Sequence, residues 1–223
     1  MYIDRIMHTD LITVSPRTTL VQARDIIEKN KIDHLLVVND KQKLVGIISD
    51  RDLKQNWASP ATSLSTHELN YLLTKVEVSM IMIKTVVTVP TSTTIERAAL
   101  IMQQHRISAL PVMEEDRLAG IITSTDVMAV LLQAIGISDE SIRLSIFVSD
   151  SIGKLAEVAS TLKDQGINIQ SLFCWPDNRY PGVTEIVLRV ANQDGTKALT
   201  ALSDKGFKVK TRYEKDLTPF LPV

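Results

Sequence analysis

Two stretches of this chain repeat each other, and any fold it adopts must respect that. Displacing the sequence by 75 residues aligns Met7 with Met82, Thr13 and Val14 with Thr88 and Val89, and Thr18 and Thr19 with Thr93 and Thr94. The same displacement aligns Ala23, Ile26, Ile32, Leu35 and Val37 with Ala98, Ile101, Ile107, Leu110 and Val112. After a turn one residue shorter in the second copy the offset is 74, and Leu44, Gly46, Ile47, Ile48 and Asp52 meet Leu118, Gly120, Ile121, Ile122 and Asp126. A repeat of this kind is one supersecondary unit per copy, too small to enclose a good core alone. The two copies are therefore expected to pack their sheets together with pseudo-twofold symmetry.

Each copy reads as strand, helix, strand, strand, helix. A short strand at 12–14 gives way to a helix from near Thr18, whose Leu20, Ala23, Ile26 and Ile27 fall on one face. In the second copy Thr93 and Glu96 have capping-box spacing. Strands at 34–38 and 44–48 flank the polar turn 39–43 and lead into GIISDRD, residues 46–52, which returns as GIITSTD at 120–126. In the second copy a strand ends at Thr123 and a helix begins, with Val127, Val130, Leu131 and Ala134 in apolar rhythm up to Gly136. The first N–H groups of such a helix lack partners and its dipole is positive there, which favours an anion or polar ligand. The hydroxyl of Ser49 or Thr123 can hold a phosphate, and the carboxylate of Asp52 or Asp126 a ribose diol. A carboxylate at a helix start also caps it with no ligand at all, a role worth about 1 kcal/mol.

At 223 residues, 44% hydrophobic and 23% charged, the chain is long enough for two compact units. A net charge of −1 without blocks of like charge argues against a nucleic-acid surface or a polybasic membrane patch. No apolar run is long enough to span a bilayer, and the Met1 start lacks a leader, so a cytoplasmic location is expected. Cys174 is the only cysteine, and His8, His34, His67 and His105 lie far apart, so neither a disulfide nor a metal site is expected. No nucleophile elbow, phosphate loop or dinucleotide fingerprint is present, and no enzymatic activity is expected.

The paired units, each closing on G-h-h-[ST]-x-x-D, resemble tandem CBS domains, the Bateman module, over residues 1 to about 136. That resemblance implies an adenine-containing ligand in clefts between the repeats, with AMP, ATP and S-adenosylmethionine as candidates. The acid of one repeat would hold the ribose and the other repeat would wall the base. One cleft would join Ile121, Thr123 and Asp126 to Asp10, Ile12, Ile32 and Asp33, and the other Ile47, Ser49 and Asp52 to Thr85, Val87, Ile107 and Ser108. Of the two acids, Asp126 is favoured for ligand contact ahead of Asp52. His34, Arg51, His105 and Arg106 are the nearby cations in sequence, and Asp33 sets a negative charge where Ser108 stands in the second copy.

Between the copies, a loop around Pro60 and Ser63 is followed by Ser65 and Glu68 in capping-box spacing ahead of Leu69, Leu72 and Leu73, an inserted helix. Trp57 and Tyr71 can line a ligand mouth or a dimer surface, or pack on their own domain. From Ile142 the order becomes βαββαβ, the ferredoxin-like arrangement. Expected elements are a strand carrying Leu144, Ile146 and Val148, a helix closed by Gly166, strands at 167–175 and about 186–190, a helix at 196–205 and a last strand at 207–213. The run D-S-I-G-K-L followed by G-I-N-I resembles an ACT domain over 142 to about 213. The resemblance implies a small amino-acid effector at Asp150, Ile152, Gly153, Asn168 and Ile169, or a pairing domain with no ligand. About 70 residues is marginal for independent stability, so a homodimer is expected.

The whole chain thus reads as a mixed α/β (α+β) protein: CBS repeats at 1–55 and 80–137, a linker helix at 56–79, an ACT-like unit at 142–213 and an apolar tail at 214–223. This domain order resembles the acetoin utilization proteins of the AcuB type and implies a cytoplasmic, homodimeric regulator linked to acetoin or related carbon catabolism. The competing expectation is an interaction scaffold with empty clefts.

Overall fold

The computed structural model describes residues 1–57 and 66–222. The first repeat runs β1 (Thr13–Val14), α1 (Leu20–Asn30), β2 (His34–Val38), β3 (Leu44–Ser49) and α2 (Asp50–Asn56). After α3 (Thr66–Leu73) and the short α4 (Val78–Ile81), the second repeats it as β4 (Val89–Pro90), α5 (Ile95–His105), β5 (Ala109–Glu114), β6 (Arg117–Thr123) and α6 (Ser124–Ile135). Each copy is a three-stranded sheet in which the first strand runs parallel and the third antiparallel to the central one. Both sheets carry a register shift at the same place, between Val37 and Val38 and between Val112 and Met113.

Helix α1 forms because Thr19 and Gln22 complete a reciprocal cap and Leu20, Ala23 and Ile27 share one buried stripe. That stripe packs on Leu35, Val37 and Ile48. Leu36 and Val38, pointing the other way from β2, are buried too, so both faces of the strand are covered. In the second copy the cap is Thr94, which accepts the Arg97 N–H at 3.3 Å, and not Thr93. Thr93 is buried, and its carbonyl takes the Ile3 N–H at 2.9 Å, so the chain turns into α5 one residue later than the spacing suggests. The expected Ser65 cap of α3 and the loop around Pro60 and Ser63 lie outside the described residues. Trp57 packs on the first repeat's core with the Arg24 guanidinium 4.7 Å from its ring, and Tyr71 is exposed.

The segments that lead into each repeat are exchanged. Residues 1–8 lie on the second copy: Ile3, Ile6 and Met7 join the core of Val89, Ala98, Leu110 and Ile122, and His8 bridges Ile121. Residues 76–83 lie on the first: Val78, Ile81 and Met82 join its core, and Ile83 bridges Ile47. The glycine before each cap motif makes room for this. A Cβ on Gly120 would stand 2.6 Å from the Met7 sulfur and 3.0 Å from the His8 carbonyl oxygen, and Gly46 faces Met82 and the Ile83 carbonyl in the same way. Gly120→Val is expected to cost about 1–3 kcal/mol through overpacking against a backbone that cannot yield freely. Urea denaturation checks this, and an unshifted midpoint would place the lead segment elsewhere.

The chain divides into two compact units, Met1–Met128 and Ala129–Val223. The second contains β7 (Ser141–Ser149), α7 (Lys154–Asp164), β8 (Ser171–Pro176), β9 (Val183–Ala191), α8 (Gly195–Asp204) and β10 (Val209–Lys210). Its sheet order, β10-β7-β9-β8, is that of the ferredoxin-like arrangement. Leu144, Ile146, Ile186, Leu188 and Val190 pack against Val158, Leu162, Ala198 and Leu202 of the two helices. β8 begins at Ser171 and not at 167, because Ile167 is drawn into this core and pairing with β9 starts only at the Arg189 register. β10 is shorter than the expected 207–213, pairing with β7 only at Val209 and Lys210. In the tail Leu217 is buried, and the Leu221 carbonyl accepts from Lys208 Nζ at 3.0 Å.

Candidate functional site

The two strand-to-helix junctions are built bond for bond alike. At the first, Asp52 Oδ2 accepts the Ser49 N–H at 2.7 Å and the Ser49 hydroxyl at 2.6 Å, while the Asp52 N–H donates to Ser49 Oγ at 3.2 Å. At the second, Asp126 Oδ2 accepts the Thr123 N–H at 2.8 Å and hydroxyl at 2.7 Å, and the Asp126 N–H donates to Thr123 Oγ1 at 3.3 Å. Both acids are therefore caps, and each cap uses one carboxylate oxygen. The remaining oxygens differ. Asp126 Oδ1 accepts from His8 Nε2 at 3.0 Å. Asp52 Oδ1 carries no hydrogen bond among the described residues. Burial pushes the Asp126 carboxyl upward, but the Thr123 hydroxyl, the Thr123 N–H and His8 together more than offset it and hold it below the usual carboxylate range.

A cavity of about 500 Å³ opens at the Asp52 junction. Ile47, Ser49 and Asp52 line it from the first repeat, and Thr85, Val87, Ile107 and Ser108 from the second. Thr123 and Asp33, assigned by the sequence to the other cleft, line it as well. The rest of that second set does not: Asp10 is exposed, Ile12 and Ile32 pack on the first repeat's core, Ile121 bridges His8 and Asp126 holds His8. The cavity thus lies at the acid the sequence favoured less.

Of the four basic residues named from the sequence, His34, Arg51 and Arg106 also line this cavity, whereas His105 does not. His34 Nε2 and Ser108 Oγ are 3.0 Å apart, a hydrogen bond from one repeat to the other. Burial lowers the His34 pKa against the upward pull of Asp33 and Asp52, so the ring is neutral near pH 7. Arg106 ends α5 in the left-handed region with φ 54°, as Lys31 ends α1 with φ 53°. Ile83, Ser124 and Thr125, with Asp50, Val86, Ala109 and Pro111, complete the wall and were not singled out by the sequence. Only the repeat could have pointed to Ile83, as the counterpart of His8. The result is a cleft with apolar sides from Ile47, Val87 and Ile107, the acid Asp52 with one oxygen free of hydrogen bonds among the described residues, two further acids in Asp33 and in Asp50, which pairs with Lys54, and the Arg51 and Arg106 guanidinium groups. Such a set suits a flat heterocycle carrying a diol and an anionic group.

In the second unit the five residues assigned to an effector lie on or beside the turns at the ends of α7. The Asp150 N–H donates to the Gly182 carbonyl at 2.8 Å, Ile152 is fully exposed, Gly153 has φ 95°, Asn168 is exposed, and Ile169 is half-buried against the core. A hollow of about 300 Å³ in this unit, walled by Phe147, Lys154, Lys205, Phe207 and Leu221 among others, includes none of the five. Among the described residues no group of three or more His, Cys, Asp or Glu could hold a metal ion, and no helix is long and apolar enough to cross a membrane.

Family comparison agrees with this architecture. The CBS domain model matches residues 3–58 and 78–133, and the AHAS small subunit-like ACT domain model matches 144–204. An inosine-5'-monophosphate dehydrogenase from Staphylococcus saprophyticus is 28% identical over 204 residues, covering 83% of this chain and 38% of its own length. The chain thus spans about four-tenths of the curated relatives it matches. A CBS-domain containing protein from Agrobacterium tumefaciens superposes with a TM-score of 0.52 at 26% identity, covering 59% of this chain and 99% of that one. An acetoin utilization protein from Vibrio cholerae has a TM-score of 0.49 at 28% identity, covering 60% of this chain and 91% of its own. With its two matched segments making up just over half of the sequence, the chain belongs to the CBS domain family, as a tandem pair followed by an ACT-like domain.

Proposed function

We propose that the chain is a regulatory protein that binds an adenine nucleotide in the cleft at Asp52. The observation that carries this reading is the cavity shared by both repeats, where Asp52 keeps one carboxylate oxygen open beside the apolar walls of Ile47, Val87 and Ile107. The base lies between those walls, the ribose hydroxyls donate to Asp52, and the phosphate meets Arg51, Arg106 and the hydroxyls of Ser124 and Thr125. A ligand held by residues of both repeats favours the arrangement in which it touches both, and shifts the equilibrium by its differential affinity. Residues of this cleft serve as binding groups, and the His34–Ser108 hydrogen bond ties one repeat to the other across it, so the role is sensing.

The ACT-like unit serves as a pairing module in a cytoplasmic homodimer, a reading supported by its fully exposed Ile152 and by the exposed Leu155 on the next turn. An amino-acid effector at Asp150, Gly153 and Asn168 is the added function that its turn would allow. The order of modules supports a place in the control of acetoin or related carbon catabolism. Isothermal titration of the full chain with AMP, ATP and S-adenosylmethionine tests the central claim: saturable heat with at least one of them is expected. Silence with all three would leave an interaction scaffold with empty clefts.

A further inference from the structure

The two strand-to-helix junctions are built alike and furnished differently. His8 of the first lead segment corresponds to Ile83 of the second, and each makes an antiparallel bridge to the strand before a cap acid, His8 with Ile121 and Ile83 with Ile47. Ile83 offers Asp52 no polar group and lines the open cavity. His8 places its Nε2 3.0 Å from Asp126 Oδ1, while Thr123 occupies Oδ2. The Asp126 side chain is 18% exposed, so no third direction is freely open to a ligand hydroxyl. A diol can be held by a carboxylate only through an oxygen that can still accept. Asp52 has one with no partner among the described residues, whereas each oxygen of Asp126 already has a donor and the His8 ring stands across the one that keeps a lone pair.

We propose that His8 is a built-in occupant of the Asp126 cleft, standing in for the ribose hydroxyl donor, so that the chain binds a single nucleotide, at Asp52. The inference rests on the nucleotide reading above and adds its stoichiometry and the residue that sets it. The exchange of lead segments is what makes this possible, since His8 reaches Asp126 only because residues 1–8 lie on the second repeat. Removing the imidazole restores to the second cleft the open oxygen that the first one has.

The test is titration of the full chain with AMP, ATP and S-adenosylmethionine, comparing wild type with His8→Ile, which gives the first lead segment the side chain of the second. The His8 side chain is 63% exposed and its bridge to Ile121 is made by backbone, so the fold is expected to survive, with circular dichroism as the check and His8→Ala as the alternative variant. Wild type is expected to bind one nucleotide per chain. His8→Ile is expected to bind two, the new event at least about tenfold tighter than any residual second event in wild type. Adding Asp126→Ala should abolish the new event and leave the one at Asp52. Two equal events in wild type, or one event only in folded His8→Ile and His8→Ala, overturn the proposal while the nucleotide reading stands. Silence of every protein with all three ligands sinks the nucleotide reading, and this proposal with it.

Discussion

Asp52→Ala is expected to weaken nucleotide binding on the order of 100-fold while leaving a folded chain. The carboxylate has two separable duties. Oδ2 accepts two hydrogen bonds from Ser49 and closes the cap of α2, and Oδ1 has no hydrogen-bond partner among the described residues, on a side chain that lines the cleft. Losing the cap costs about 1 kcal/mol, which for a protein of this size lowers the melting temperature by about 2–4 °C. Losing charge-assisted hydrogen bonds to a ribose diol costs more, on the order of 100-fold in affinity. Titration and a thermal melt on the same sample separate the two. A variant that melts slightly earlier yet binds as tightly as wild type would show that Asp52 only caps its helix. A variant that does not fold would assign it a larger structural weight than one capped turn explains.

Ile3→Ala is expected to destabilise the protein by about 2–5 kcal/mol, the range for truncating a fully buried aliphatic side chain. Ile3 has no exposed surface and is packed among Val89, Ala98, Leu110 and Ile122, nearly ninety residues or more away in sequence. Its backbone is also engaged, with the Ile3 N–H bonded to the Thr93 carbonyl and the Ile95 N–H to the Met1 carbonyl at 3.0 Å. The loss should therefore appear in urea denaturation as a lower midpoint, and in hydrogen exchange as faster labelling at Ile3, His8 and Ile95. Tyr2→Ala, at a position 55% exposed, is the control and should change little. A cost below about 1 kcal/mol at Ile3 would mean that the lead segment is not part of the second repeat's core.

Much of the cleft can be named from the motif. Ile47, Ser49, Asp52, Thr85, Val87, Ile107 and Ser108, the set that the resemblance to tandem CBS domains implies, all come together around one cavity. The preference between the two acids was not legible. Asp52 and Asp126 have the same spacing to their hydroxyls and make the same cap, so nothing nearby in sequence distinguishes them. What separates them is His8, 118 residues from Asp126. The direction of His34, Arg51 and Arg106 was equally hidden. Arg106 reaches the cleft from a left-handed helix end, a backbone state that side-chain pattern does not announce for arginine. The Thr94 cap and the late start of β8 have one cause, a residue just before the element drawn into a core by a distant partner.

The sequence by itself determined the duplicated unit, the order of its strands and helices, the two capped junctions and the ferredoxin-like C-terminal unit. All of these follow from periodicity and from chemistry within a few residues. Only the tertiary structure decided which repeat receives each lead segment. Met7 and Met82 meet glycines with similar surroundings, Gly120 and Gly46, so the local pattern does not say which segment goes to which groove. Packing across the whole pair breaks it, sending residues 1–8 onto the second copy and residues 76–83 onto the first. That exchange brings a histidine to one acid and an isoleucine to the other, so that two junctions with the same cap carry different neighbours.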